Sequence, residues 1–257
     1  MRADKYLSLH GFSSRTKAAR AIAEGRVTVN GKRVSAADEV QDGDLIQIKE
    51  KEASFVSEGG FKLYKALREF NQKISGLVFA DVGASTGGFT DCLLQNGARQ
   101  VFAVDVGESQ LDQSLLSDDR VTVMDRTNAR YLKEEDFPCR LDGVVIDVSF
   151  ISLKQILPAV SAILKNGGLV FALVKPQFEC GARALDKHGI VKNAELRAEA
   201  LLSVCEAAEQ SGLYAKKISV APIKAKKNIE YIVLFEKVPP STLGAAHILE
   251  FCKENSK

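Results

Sequence analysis

Residues 77–94, LVFADVGASTGGFTDCLL, set the tightest limit on how this chain can fold: an apolar strand runs into glycines at 83, 87 and 88 and then into an amphipathic helix. From there on, strand-like and helix-like stretches alternate. Strands are expected at Leu77 to Val82, Gln100 to Asp105, Val121 to Met124, Gly143 to Asp147, Leu169 to Val174, Lys217 to Val220 and Tyr231 to Phe235. The clearest helix is Ala194 to Gln210, with Leu196, Leu201, Val204, Cys205 and Ala208 on one face and Gly212 just past its end. Seven strands with helical crossovers imply a doubly wound, Rossmann-like α/β domain over residues 59–240, followed by a C-terminal helix or tail at 241–257.

The first fifty residues read differently. Tyr6, Leu7 and Leu9 suggest a short helix ended by Gly11, and Ser13 or Ser14 can cap a second helix running to Gly25. Val27 to Val29 and Val34 flank Asn30-Gly31, a strong two-residue hairpin signal, and Leu45 to Ile48 follows as another strand. The result is a small α+β unit at 1–50, with residues 51–58, inside the polar run KEKEASFVSE, as the linker. The formal net charge is only +2, yet residues 1–37 hold eight Lys/Arg against two acids. Arg2, Lys5, Arg15, Lys17, Arg20, Arg26, Lys32 and Arg33 therefore form either a polyanion-binding surface, RNA above all, or a merely solvated face.

Other classes are disfavoured. The longest apolar stretch, Gly168 to Val174, is far below the roughly 18 residues of a membrane span, and no signal peptide is evident. Five widely spaced cysteines form no CxxC pair, which fits a reducing cytoplasm. The three histidines show no metal spacing, so no metal is expected.

Chemistry concentrates at the expected carboxyl ends of the strands, where α/β proteins build their sites. The loop Gly83, Ala84, Ser85, Thr86, Gly87, Gly88 lets backbone approach a ligand, but its spacing is not the dinucleotide GxGxxG, so a phosphate-free adenosyl cofactor fits better. Asp81 can accept a hydrogen bond from a methionine ammonium, and Asp105 is placed for ribose hydroxyls. Asp125 and Asn128 can meet an adenine edge, with Phe150 packing on the ring. Asp147 and Lys175 end consecutive strands. Lys62 and Glu230 could complete a set of two lysines and two carboxylates suited to removing a ribose hydroxyl proton. Each residue alone also suits a turn, a cap or a surface ion pair. The tetrad Asp147-Val148-Ser149-Phe150 is not the one expected for methylation of an exocyclic base nitrogen, and Cys139 precedes the fourth strand, where a carbon-methylating nucleophile would not sit. Lys216, Lys217, Lys224, Lys226 and Lys227 could form a basic loop beside the site, and GARALDKHGIVKN reads as a loop that orders over substrate.

SSRTKAARAIAEGRVTVNGKRV resembles the alpha-L RNA-binding domain. With EGGFKL, DVGASTGGFTD, VFAVDVG, RTNAR, DVSFISL, LVKPQFE and NIEY in this order behind it, nearly the whole chain resembles the TlyA family. The resemblance implies an alpha-L domain fused to an FtsJ-like, S-adenosylmethionine-dependent methyltransferase acting on cytidine 2'-hydroxyls of ribosomal RNA. It also implies Lys62, Asp147, Lys175 and Glu230 as the catalytic Lys-Asp-Lys-Glu set and Gly83 to Gly88 as the cofactor loop. Two positions depart from the pattern: Glu58 replaces an arginine, and AKKNIEY replaces a more glycine-rich approach to the last glutamate. Some members carry the name haemolysin, which makes a membrane-active protein the rival class, and an RNA-binding protein without catalysis the third.

Overall fold

A computed structural model describes residues 1–12, 14–49, 53–181 and 184–256. The chain divides into two compact units, Met1–Ala53 and Ser54–Lys257. The expected linker residues 51 and 52, and the candidate cap Ser13, lie outside the described residues.

The first unit holds α1 (Ala3–His10), α2 (Arg15–Ala23), β1 (Val27–Val29), β2 (Lys32–Arg33) and β3 (Ile46–Ile48), with strand order β2-β1-β3. Ser14 caps α2, its hydroxyl accepting the Lys17 amide at 3.2 Å. Asn30 and Gly31 both take positive φ, 50° and 76°, as the tight turn between β1 and β2 requires. Its core is small: Leu7, Ile22, Val27, Val29 and Val40 with three alanines.

The second unit contains α3 (Glu58–Glu69), β4 (Val78–Val82), α4 (Gly88–Gln95), β5 (Gln100–Val104), α5 (Gln113–Leu116), β6 (Val121–Met124) and β7 (Leu141–Ile146). It continues with α6 (Leu157–Ile163), β8 (Leu164–Val174), α7 (Pro176–Glu179), α8 (Ala194–Gln210), β9 (Tyr214–Val220), β10 (Tyr231–Glu236) and α9 (Ala245–Glu254). The sheet order is β6-β5-β4-β7-β8-β10-β9, all parallel except β10, which runs antiparallel to both its neighbours. Both faces are covered. Phe79, Val101, Val145 and Phe171 pack under α3 and α4, and their strand neighbours Val78, Ala80, Val144 and Val170 pack under α6 and α8, so the strands read as continuous apolar runs. Three strands start earlier than their apolar runs: β7, β8 and β9 begin with residues such as Asp142, Lys165, Asn166 and Lys216, whose polar side chains carry no hydrophobic signal.

The C-terminal segment, expected as a separate helix or tail, joins this core. α9 packs on α8, burying Ile248 and Cys252. A fully buried Arg197 of α8 ties them together: it donates to Tyr231 Oη (2.9 Å), to the Lys192 carbonyl (2.7 Å), and to the Cys252 carbonyl (3.1 Å) and Ser256 Oγ (2.6 Å) beyond. Removing this hub strands several buried acceptors. Arg197→Leu should therefore cost about 2–4 kcal/mol, read as a lower urea midpoint. A midpoint within error of wild type would show that the network is dispensable.

Candidate active site

After β4 the chain builds outward through β5 to β6, then returns to place β7 on the other side of β4. That reversal opens a crevice at the carboxyl ends of β4 and β7. At its floor, the Gly83 backbone, with φ of 84°, lies so close to the loop after β7 that a Cβ there would sit 2.5 Å from the Asp147 carbonyl oxygen. Gly88 is equally constrained: a Cβ would fall 2.2 Å from Ser57 Oγ and 2.8 Å from the Gly60 amide, so α4 starts directly against α3.

Two lobes meet at this floor, sharing Gly83, Ser85, Asp147 and Ser149. The polar lobe, about 250 Å³, is lined by Gly83 to Thr86, Gly88, Lys62, Asp147 and Lys175. The second, about 460 Å³, has apolar walls of Val106, Phe150, Ile151 and Ile156, with Asp105 and Asn128 supplying polar atoms. Asp105 accepts the Ser85 amide (2.8 Å) and the Gly107 amide (2.7 Å), one on each carboxylate oxygen, leaving lone pairs for hydroxyls. A narrow polar lobe beside a wider, flat-walled one suits a ligand with an amino-acid end and an adenosyl end. The residues present fit S-adenosylmethionine.

The structure places four of the expected contact residues apart from the rest or at the edge of the lobes. Asp81 is fully buried and lines neither lobe: its Oδ2 accepts both the amide (2.8 Å) and hydroxyl (2.7 Å) of Thr90, which tethers α4 to β4, while its Oδ1 has no hydrogen-bond partner among the described residues. Gly87 also turns away, with Leu111 and Leu115 filling the space where its side chain would go. Asp125 accepts the Ser109 amide at 3.0 Å and stands off the lobe wall, whereas Asn128 lines it while capping the turn at Arg130. Phe150 is 91% exposed on the rim, its ring 5.1 Å from that of Phe178, with φ of 64°, rare for a bulky side chain.

The four candidate catalytic residues form two ion pairs. Lys175 Nζ lies 2.6 Å from Asp147 Oδ1 and donates to Ser149 Oγ at 2.9 Å, and Lys62 Nζ lies 2.6 Å from Glu230 Oε2. Both lysines face the polar lobe. The helical pattern around Lys62 is α3, whose Leu63, Ala66 and Leu67 are buried. Ser57 and Ser149 are lining residues that the sequence reading missed. Ser149 was legible in principle, being two residues beyond Asp147 on an extended stretch, and so on the same side.

The basic residues are more dispersed than their sequence clustering suggests. Lys216 and Lys217 belong to β9 and donate to the Pro240 and Phe70 carbonyls, so they are not part of a loop. Lys224 pairs with Glu58. In the first unit, Arg15 and Arg2 both engage Asp4, whose carboxyl they hold down at about 2, Arg15 contributing most. Arg20 and Arg26 engage Glu24. Lys5, Lys17, Lys32 and Arg33 make no ion pair among the described residues, and carry that unit's uncompensated charge.

The seven-stranded sheet with its one reversed strand, the glycine-floored cleft and the small basic unit before it define a methyltransferase fold with a nucleic-acid-binding module. Residues 55–237 match the FtsJ-like methyltransferase family and residues 1–46 the S4 domain. The 16S/23S rRNA (cytidine-2'-O)-methyltransferase TlyA of Mycobacterium tuberculosis is 40% identical over 248 residues, 95% of this chain and 92% of the relative. Hemolysin A of Brachyspira hyodysenteriae is 39% identical, covering 91% and 99%. The solved structure of a candidate haemolysin from Streptococcus thermophilus superposes with a TM-score of 0.75 at 40% identity, covering 99% and 94%. The chain belongs to the TlyA family, which joins an S4 RNA-binding domain to an FtsJ-like methyltransferase domain.

Burial, together with the negative charges of Asp147 and Asp105, pushes the Asp81 carboxyl up to about 7. A carboxyl raised on folding contributes stability at acid pH that is lost as pH climbs through its folded value. Asp81→Asn keeps an acceptor for Thr90 without the buried charge. Calorimetry should find that its melting temperature gains on that of wild type as pH rises, by several degrees more at pH 8 than at pH 5. A difference independent of pH would rule out this titration.

Proposed function

We propose that this chain methylates the ribose 2'-hydroxyl of a cytidine in ribosomal RNA, using S-adenosylmethionine, and so acts on ribosomal subunits in the cytoplasm. The observation that carries the reading is the pair of lysines, each with its own carboxylate, lining the lobe next to the one shaped for an adenosyl group. Gly83 to Thr86, Gly88, Asp105 and Asn128 would hold the cofactor, which supplies an electrophilic methyl group when bound.

The protein's own part is positioning and proton handling. Asp147 and Ser149 fix Lys175 Nζ at the mouth of the polar lobe, so that a hydroxyl presented there meets an amine held in place from two sides. In its neutral form that amine takes the hydroxyl proton as the oxygen attacks. Lys62, held by Glu230, brings a cation to the same lobe, where it stabilises the developing negative charge on the oxygen. The S4 domain, through Lys5, Lys17, Lys32 and Arg33, supports phosphate contacts that give affinity without reading sequence. Among the described residues no helix is long and apolar enough to cross a membrane, and no observation of the site favours membrane activity.

Labelled methyl transfer from S-adenosylmethionine to purified ribosomal subunits, with the product nucleoside identified, tests the reading. Wild type should yield 2'-O-methylcytidine, and Lys175→Ala and Asp147→Ala should each lower kcat by about 10²–10⁴-fold while cofactor affinity stays near wild type. A base-methylated product, or variants as active as wild type, would refute it.

A further inference from the structure

A further cavity, about 350 Å³, is bordered by Glu230, the carboxylate that pairs with Lys62. It falls within the range of roughly 300–1,000 Å³ that small-molecule sites occupy. Glu230 links the two regions: it grips Lys62, which lines the polar lobe, and itself borders this cavity. The other walls are Gln177, His188, Ile190, Lys226, Lys227 and Asn228.

Three features distinguish it from a surface dimple. Gln177 lies two residues beyond Lys175, on the short α7 that turns directly off the end of β8, so the element that places the reactive amine also places this amide. Its Oε1 is buried and makes no hydrogen bond among the described residues, and a buried acceptor of this kind calls for a donor. The opposite wall is fixed in place: Asn228 accepts the Val191 amide (2.9 Å) and donates to the Gly189 carbonyl (2.8 Å), locking the segment that carries His188 and Ile190. At the mouth, Lys226 and Lys227 are exposed and make no ion pair among the described residues, unlike Lys224, which pairs with Glu58. Lys226 takes a left-handed φ of 60° in the turn that leads to this wall.

A side-chain amide among the lining of a cavity that also carries two lysines with no ion pair among the described residues matches the two ends of a nucleotide. Side-chain amides read base edges through paired donor and acceptor atoms, and lysines hold phosphate. We infer that this cavity takes the nucleotide adjacent to the methylated one, its base edge on Gln177 and its phosphate on Lys226 and Lys227. The inference rests on the RNA-methylating reading above and adds to it a sequence-reading subsite.

The test uses the full chain and ribosomal subunits lacking the modification, either native or with the base on each side of the methylated nucleotide replaced in turn. With wild type, replacing one flanking base should lower kcat/KM about 10-fold. Gln177→Ala should lose about 10-fold on native subunits and no longer distinguish them from that replacement. Lys226→Ala combined with Lys227→Ala should raise the KM for every subunit about 10-fold and flatten the salt dependence of binding by about two phosphate contacts. Calorimetric titration with S-adenosylmethionine should be unchanged in all variants, which separates a lost subsite from a lost fold. Equal losses for Gln177→Ala and wild type across all flanking replacements, or variants with wild-type KM, would overturn the inference while leaving the methylation reading intact. A folded wild type that binds S-adenosylmethionine yet methylates no ribosomal RNA would instead remove the reading on which it rests.

Discussion

The contact between Gly83 and the backbone of Asp147 is the constraint from which the site follows. β4 and β7 are adjacent parallel strands whose connections leave in opposite directions, and their loops can close into one floor only if one loop lacks a side chain. With that floor in place, Asp147 points into the polar lobe, Lys175 at the end of the next strand meets its carboxylate, and the adenosyl-shaped lobe opens on the other side. A methyl group in β-carbon position at residue 83 would push the two strand ends apart and separate the apolar lobe from the Asp147–Lys175 pair.

A second layer of organisation holds α3 and α4 against this floor. Gly88 allows α4 to start against Ser57 and Gly60, and Asp81 binds the first turn of α4 from below through Thr90. This close packing of α3 brings Lys62 within reach of Glu230 at the start of β10, although the two are far apart in sequence. The reversed strand β10 follows directly on Glu230, the carboxylate that pairs with this lysine.

Much of this was legible in the sequence because its causes are local. The apolar runs of strands buried on both faces, the Asn30-Gly31 turn and the glycines at 83 and 88 announce themselves through residue type, and strand ends give Asp105, Asp147 and Lys175 directly. What residue type alone does not reveal depends on distant partners. Asp81 has the spacing of a ligand-binding acid but is claimed by Thr90, and Gly87 is dictated by Leu111 and Leu115. Lys216 and Lys217 look like part of a basic loop until the polar start of β9 is recognised. The basic count of the first unit likewise overstates its free charge, because Asp4 and Glu24 each take two arginines. Ser149 and Gln177 went unnoticed because hydroxyl and amide side chains carry no pattern until a cavity gives them something to face.

The most direct test of the central claim is calorimetric titration with S-adenosylmethionine of wild type and of Gly83→Ala, both checked for fold by circular dichroism. The account predicts saturable one-site binding to wild type and at least about 10-fold weaker binding to the variant, in keeping with the cost of misplacing a preformed site. Equal affinity for the two proteins, or no binding to a folded wild type, would contradict it.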